Sequence, residues 1–321
     1  MRKILVIQTA FIGDVILATP VIEKLHLFYP ASKIDFLLRK GNESLFNNHP
    51  FLNDLLIWNK NENKIPNLLN LIRVVRQKRY DLVVDLHRFF TSGLITFLSR
   101  GRMKAGFEKN PFLFSFDLRA RHRFGDNTHE IQRNLSLIEK ITDGAVIKPR
   151  LYPSPADYEK ISQYASEGKF VTIAPASVWF TKQFPPHKWL QLISRLDKDL
   201  TIYLLGAGSD KELCAGIEKS SDHKGIITLA GKLSFLQSAA LMQKAQMNYV
   251  NDSAPLHIAS AMNAPVTAIF CSTVPSFGFG PLSDNSLILE RTKPLYCRPC
   301  GLHGYRTCPQ GHFKCAEEIE V

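Results

Sequence analysis

The stretch KILVIQTAFIGDVILATPVIEKLHLFYP, residues 3–30, decides the fold class. Its first six residues, Lys3 to Gln8, hold the unbroken apolar run Ile4-Leu5-Val6-Ile7. They lack the in-out alternation of a strand with one wet face, so they read as a strand buried on both sides. From Asp14 the spacing becomes that of an amphipathic helix, DVILATPVIEKLHLFYP, which Pro30 stops. A buried strand running directly into a helix is the start of a parallel sheet with helices on both faces. Asp14 stands at the junction, with Gly13 before it.

Outward from there the alternation continues. KIDFLLR (33–39) and DLLIW (54–58) read as strands, and IPNLLNLIRVVRQKRY (65–80) as a helix with Leu68, Leu71, Ile72 and Val75 at helical spacing. DLVVDLH (81–87) is a fourth strand and TSGLITFLSR (91–100) a helix after it. The segment KPRLYPSPADYE (148–159), with three prolines and a serine, interrupts the pattern as a domain boundary does. Strands at 169–175, 200–206, 226–231, 247–251 and 264–271 then alternate with helices. The expected architecture is therefore α/β, two Rossmann-like doubly wound domains over 1–155 and 156–321. Ligands bind at the carboxyl ends of the strands in such sheets, so a central cleft faced by both domains is the expected site.

Composition narrows the function classes. A 45% hydrophobic, 21% charged chain is globular, and no run reaches the ~20 apolar residues of a membrane span. The N-terminus resembles a signal peptide, but Gln8, Asp14 and the lack of a small-x-small cleavage site argue for a cytoplasmic chain. The net charge of +11 is uneven: residues 1–150 hold 24 Lys and Arg against 14 Asp and Glu, and residues 151–321 hold 16 against 15. The first half is thus suited to an anionic partner, such as a nucleic acid, a membrane face or a phosphorylated ligand. RVVRQKR (73–79) and RARHR (119–123) carry much of the excess. Cys214 and Cys271, in apolar surroundings, read as inert core thiols. Cys297, Cys300, Cys308 and Cys315 crowd one segment as C-x2-C-x7-C-x6-C, with His303 and His312 nearby. In a reducing compartment that pattern suggests a structural zinc site, with disulfides or buried thiols as alternatives.

Three constellations carry chemistry. Asp14, at the end of the first strand, is either a helix cap or an ionised general base that the helix dipole favours, with Gly13 leaving room for a ligand. In YVNDSAPLHIASAMN (249–263) a strand ends at Asp252 and a helix opens at Ser253, whose backbone N–H groups form an anion site; Ala254 lies in its first turn and His257 on the same face. IAPASVWFTKQFPPHKW (173–189) places Ser177, Thr181 and Lys182 in the loop between a strand and a Pro-Pro helix start, where Lys182 could neutralise a diphosphate. LLGAGSDKE (204–212) opens like a dinucleotide fingerprint but lacks the third glycine and the later acidic residue, and reads as a tight strand-to-helix turn.

In order, GDVILATP, PASVWFTKQFPPHKW, NDSAPLHIASAMNAPVTAIF and the terminal CRPC…CP.GH..C resemble the ADP-heptose:lipopolysaccharide heptosyltransferases, glycosyltransferase family 9, over nearly the whole chain. The resemblance implies a GT-B fold, with an N-terminal acceptor domain and a C-terminal nucleotide-sugar domain. It implies inverting transfer of heptose from ADP-heptose to an anionic lipopolysaccharide-core acceptor, lipid A–Kdo or heptosylated, without a required cofactor. By resemblance Asp14 is the general base, Ser177 and Lys182 hold the donor's phosphates and sugar, and Asp252, Ser253, Ala254 and His257 form the donor-binding motif. Two departures stand out: Ser253-Ala254-Pro255 replaces a Thr/Ser-Gly-Leu pattern, and Gln8 replaces a lysine found in some members. A basic first half and a glycolipid acceptor together imply weak attachment to the inner membrane face, with no nucleic acid as partner. The competing readings are a GT-B transferase with another nucleotide sugar, a nicotinamide oxidoreductase, and a non-enzymatic protein binding anions or nucleic acid, which would bind salt-sensitively.

Overall fold

The computed structural model describes residues 1–60, 63–165 and 168–321. It divides into two compact units, Met1–Tyr152 and Pro153–Val321. In the first, β1 (Lys3–Ile7), α1 (Ile12–Ile16), α2 (Thr19–Phe28), β2 (Lys33–Arg39) and β3 (Leu52–Trp58) are followed by α3 (Lys64–Lys78), β4 (Leu82–Asp85), α4 (Phe90–Leu98), β5 (Met103–Phe107), β6 (Leu118–Ala120) and α5 (Glu130–Ser136). The strands form one parallel sheet in the order β3-β2-β1-β4-β5-β6. Ile4, Leu5, Val6 and Ile7 are wholly buried at its centre, as the unbroken apolar run requires. Leu71, Ile72 and Val75 of α3 pack on this core with Leu37, Leu56 and Trp58.

The helix expected from Asp14 to Pro30 is broken in two. Proline 20 has no N–H for the Ile16 carbonyl, so the ladder fails there, and the Thr19 hydroxyl donates to that carbonyl instead at 2.8 Å. Helix α1 also starts earlier, at Ile12, which places Gly13 inside a helical turn instead of at a tight bend. Strands β5 and β6 were not expected. β5 is the short run MKAGF, with a lysine and a glycine in it, and its Gly106 lies under the Phe116 ring, 2.2 Å from where a Cβ would be. β6 is a three-residue edge strand, so RARHR proves to be in part the charged edge that discourages further strand pairing.

The second unit begins inside the proline-rich segment. Ser154 and Asp157 exchange hydrogen bonds at 2.8 and 3.2 Å and start α6 (Pro155–Ala165), a helix that the linker reading did not foresee. There follow β7 (Phe170–Ala174), α7 (Pro186–Ser194), β8 (Thr201–Leu204), α8 (Lys211–Ser220), β9 (Ile226–Thr228), α9 (Phe235–Lys244), β10 (Asn248–Asn251), α10 (Ala254–Ala261), β11 (Val266–Phe270), β12 (Ser286–Glu290) and α11 (Lys314–Glu317). The parallel sheet runs β12-β11-β10-β7-β8-β9. Counted from its own first strand, this is the order of the first sheet. Strand order therefore reverses between β1 and β4, and again between β7 and β10; crevices at the carboxyl ends of such strand pairs bind ligands. Among the described residues no helix is long and apolar enough to cross a membrane.

Candidate active site

In the first unit the crevice is bounded by the β1–α1 loop. Gln8 is buried and its Oε1 accepts from the Ala10 N–H at 3.3 Å, so it shapes the loop. Asp14 lies in the first turn of α1, partly exposed, where the helix dipole favours its anionic form. Three cations stand at the carboxyl ends of the neighbouring strands β2, β3 and β4. The Arg39 guanidinium, closing β2, lies 5.2 Å over the Phe11 ring. Lys60, two residues past β3, donates to the Thr9 carbonyl at 2.7 Å and to its hydroxyl at 3.2 Å, and stacks over Trp58. Burial and the nearby Arg39 and Lys64 charges bring the Lys60 pKa down to about 8. Arg88, three residues past β4, is pulled down by burial but held charged by Glu130 and Asp14. Its neighbour His87 is pushed to about 4 by burial and by Lys60 and Arg88, and is neutral at pH 7. Burial alone would raise Glu130, but His122 and Arg133 hold it at about 2, which keeps a permanent counter-charge for Arg88. The motif search missed Arg39, Lys60, His87 and Arg88. The signal that finds them is position: each sits at the end of a strand that the sequence made legible.

In the second unit the loop after β7 and the turn after β10 meet. Lys182 Nζ lies 2.6 Å from Asp252 Oδ2, with the lysine largely and the aspartate almost wholly buried. The Thr273 hydroxyl donates to the same Asp252 oxygen at 2.6 Å. Asn251, also missed, ties the two segments together: its Nδ2 donates to the Pro175 carbonyl at 2.8 Å, and its Oδ1 accepts from the Phe184 N–H at 3.0 Å. Ser177, partly exposed, accepts through its carbonyl from Gln183 Nε2 at 2.6 Å. Ser253 is the extended N-cap of α10; its hydroxyl makes no cap bond, and Ala254 begins the helix beside it. Pro255 removes one N–H from that first turn. His257 is buried, its ring edge-on to Phe279 at 6.3 Å, and does not share the partly exposed surface of Ser253 and Ala254.

Thr181 is buried and faces the cysteine-rich segment. Its Oγ1 accepts from the Tyr305 N–H at 2.8 Å and from the Ser272 hydroxyl at 3.0 Å, and its own N–H donates to the Tyr305 carbonyl. Gly304, at φ +78°, comes so close that a Cβ would lie 2.9 Å from Thr181 Oγ1 and 3.1 Å from Lys182 Cγ. The segment thus braces the Lys182 loop. Replacing Thr181 by valine keeps the shape but strands the buried Ser272 hydroxyl and the part-buried Tyr305 N–H. We expect a loss of roughly 2 kcal/mol in urea unfolding and a rise in donor KM. A change within about 0.5 kcal/mol, with KM unmoved, would remove Thr181 from this role.

The four cysteines of the zinc expectation gather in one place. Cys297, Cys300, Cys308, Cys315 and His312 line one cavity of about 220 Å³. Among the described residues, however, no three His, Cys, Asp or Glu side chains are placed to hold a metal ion. Cys300 Sγ donates to the Cys297 carbonyl at 3.4 Å, Cys297 Sγ faces His312 Nε2 at 3.9 Å, and burial pushes the Cys315 thiol up to about 12.

Two doubly wound parallel domains, each with polar side chains gathered at its strand-order reversal, have the architecture of the GT-B fold. The family model for Glycosyltransferase family 9 (heptosyltransferase) matches residues 68–304. Lipopolysaccharide heptosyltransferase 3 of Escherichia coli is 30% identical over 299 residues, covering 86% of this chain and 85% of that protein. Among solved structures, E. coli ADP-heptose lps heptosyltransferase II aligns with a TM-score of 0.79 at 20% identity, over 98% of this chain and 97% of that one. E. coli heptosyltransferase WaaC with ADP-2-deoxy-2-fluoro heptose aligns at 0.71 and 19% identity, over 89% and 92%. The chain belongs to glycosyltransferase family 9, the heptosyltransferases.

Proposed function

We propose that the protein transfers heptose from ADP-heptose to an anionic lipopolysaccharide-core acceptor with inversion at the anomeric carbon. The Asp14 carboxylate takes the proton of the acceptor hydroxyl as its oxygen attacks the anomeric carbon. The bond from that carbon to the diphosphate breaks on the opposite face, and ADP leaves with the electron pair. Lys182 and the free N–H groups at the start of α10 stabilise the charge that gathers on the diphosphate, with Asp252 fixing the lysine's position. Ser177 and Ser253 offer hydroxyls to the donor. The cations Arg39, Lys60 and Arg88 suit an acceptor bearing phosphate or carboxylate groups. The protein works at the cytoplasmic face of the membrane that holds this acceptor, and nucleic acid is not a partner.

The observation that carries this reading is the pairing of Lys182 with Asp252, 70 residues apart, at the strand-order reversal of the second sheet beside the α10 N-terminus. The donor follows from the relatives, one of which was solved with an ADP-heptose analogue. The test is turnover with ADP-heptose against UDP- and GDP-sugars on a core acceptor, with the product anomer read by NMR. Preference for another nucleotide, or retained configuration, would overturn it. A pH profile adds a second check. Lys60 carries its charge below about pH 8 and loses it above. The acceptor KM should therefore rise several-fold between pH 7 and 9 in the native enzyme and stay flat in Lys60→Gln; a rise of the same size in the variant would exclude Lys60.

A further inference from the structure

Helices α3 and α4 pack together and leave an outer surface of unusual composition. Arg73 and Arg76 near the end of α3, Arg79 just past it and Arg100 just past α4 line one pocket of about 570 Å³, with Leu69 and Leu98 in its wall. Among the described residues, none of these four arginines makes an ion pair, whereas Lys78, Arg102, Arg121 and Arg133 of the same unit do. Like charges gathered in this way await an anion from outside. Beside them Phe90, Phe97 and Phe114 are 59%, 42% and 65% exposed. They form one cluster through Phe112, with ring centroids 5.1 to 5.6 Å apart. Ile65 and Leu69 of α3 are exposed as well. Exposed apolar groups gathered in this way mark a contact surface.

We propose that the α3–α4 face docks on an anionic lipid bilayer, with Arg73, Arg76, Arg79 and Arg100 taking lipid phosphates and the phenylalanine cluster entering the headgroup boundary. A bilayer offers both chemistries side by side, phosphate next to hydrocarbon. Inorganic phosphate would engage the arginines and leave the rings in water. A second copy meeting the same face would set four arginines against four arginines. Nucleic acid would need open ring faces for stacking, but Phe97 and Phe112 already stack on each other. The assignment rests on the proposed function in one respect, that its acceptor is itself held in the membrane; this face would bring the acceptor domain to it.

The test is flotation of the full-length protein with phosphatidylcholine vesicles, with and without phosphatidylglycerol, together with turnover on a water-soluble core oligosaccharide. The protein should float with the anionic vesicles only. The triple variant R73Q/R76Q/R100Q should bind them on the order of a hundredfold more weakly, and F97S/F114S about tenfold more weakly. Turnover on the soluble acceptor should be unchanged in both, which also verifies their folding. Native-like flotation of the triple variant would overturn the proposal. So would concentration-dependent dimerisation in analytical ultracentrifugation that F97S/F114S abolishes, or retention of an oligonucleotide in preference to vesicles. Absence of turnover in the native protein with ADP-heptose would count against the proposed function, and leave the flotation result to judge this surface.

Discussion

Replacing Asp14 by asparagine should lower kcat by roughly a thousandfold and leave ADP affinity within about twofold, because a positioned general base contributes about 10²–10⁴ in rate. Asparagine has the shape of aspartate and still accepts a hydrogen bond, but it cannot take the acceptor proton. The loss of a first-turn carboxylate costs the helix only about 0.3–1 kcal/mol, and α1 is held by the wholly buried Val15 and Ile16. The fold should survive, so activity and stability separate cleanly. ADP belongs to the other domain in this reading, so its calorimetric affinity is an internal control. Turnover within tenfold of the native enzyme would sink Asp14 as the base, and a parallel loss of ADP binding would mean that the substitution acts through structure.

Lys182→Ala should cost about 10²–10³ in kcat/KM for the donor, the usual effect of removing one group that stabilises a developing oxyanion. The damage has two sources. The diphosphate loses a cation, and Asp252 keeps a carboxylate that is 6% exposed and now lacks its partner. Breaking a buried pair on one side costs roughly 3 kcal/mol of stability. The double variant K182A/D252N should therefore be more stable than K182A and bind ADP better, because the neutral amide no longer repels the phosphates and can still accept from Thr273. Unchanged ADP affinity in K182A would remove the lysine from the donor site. A double variant no better than K182A would show that Asp252 acts there in some other way.

The centre of each sheet was legible because strands buried on both faces must be apolar throughout. KILVI, LVVD and FVTIA need no neighbour to explain them. The margins were not. β12 is SLILE at a sheet edge with Leu287 and Ile288 exposed; turn residues precede it, but its apolar run is only three residues long and shows no alternation. β5 owes its glycine to the aromatic ring of Phe116, ten residues further on, a tertiary cause that no local pattern records. At the site, Asp14, Lys182 and Asp252 were legible as charged residues at strand ends. Asn251 was not, and Thr181, read as facing a ligand, turns inward: each bonds to a segment distant in sequence. Arg88 looked like one more surface cation, and only the fold places it within the field of Asp14.

The far reach of the cysteine-rich segment and α11 also bears on how the protein is made. Tyr305 bonds back to Thr181, Glu317 to His187, and the Ile319 carbonyl to Lys188, across 124, 130 and 131 residues. Ala316 and Ile319 fill the same core as Ile173 and Trp189. On a ribosome adding about 5–20 residues per second, β7 must wait roughly ten to thirty seconds for these partners. The first domain closes its own contacts by Tyr152, whose hydroxyl donates to Glu23 Oε1, and can fold during that interval. Nascent chains should therefore pass through a stage in which the first domain is native and protease-resistant while the second is still open, a window in which chaperones have one half of the enzyme to guard.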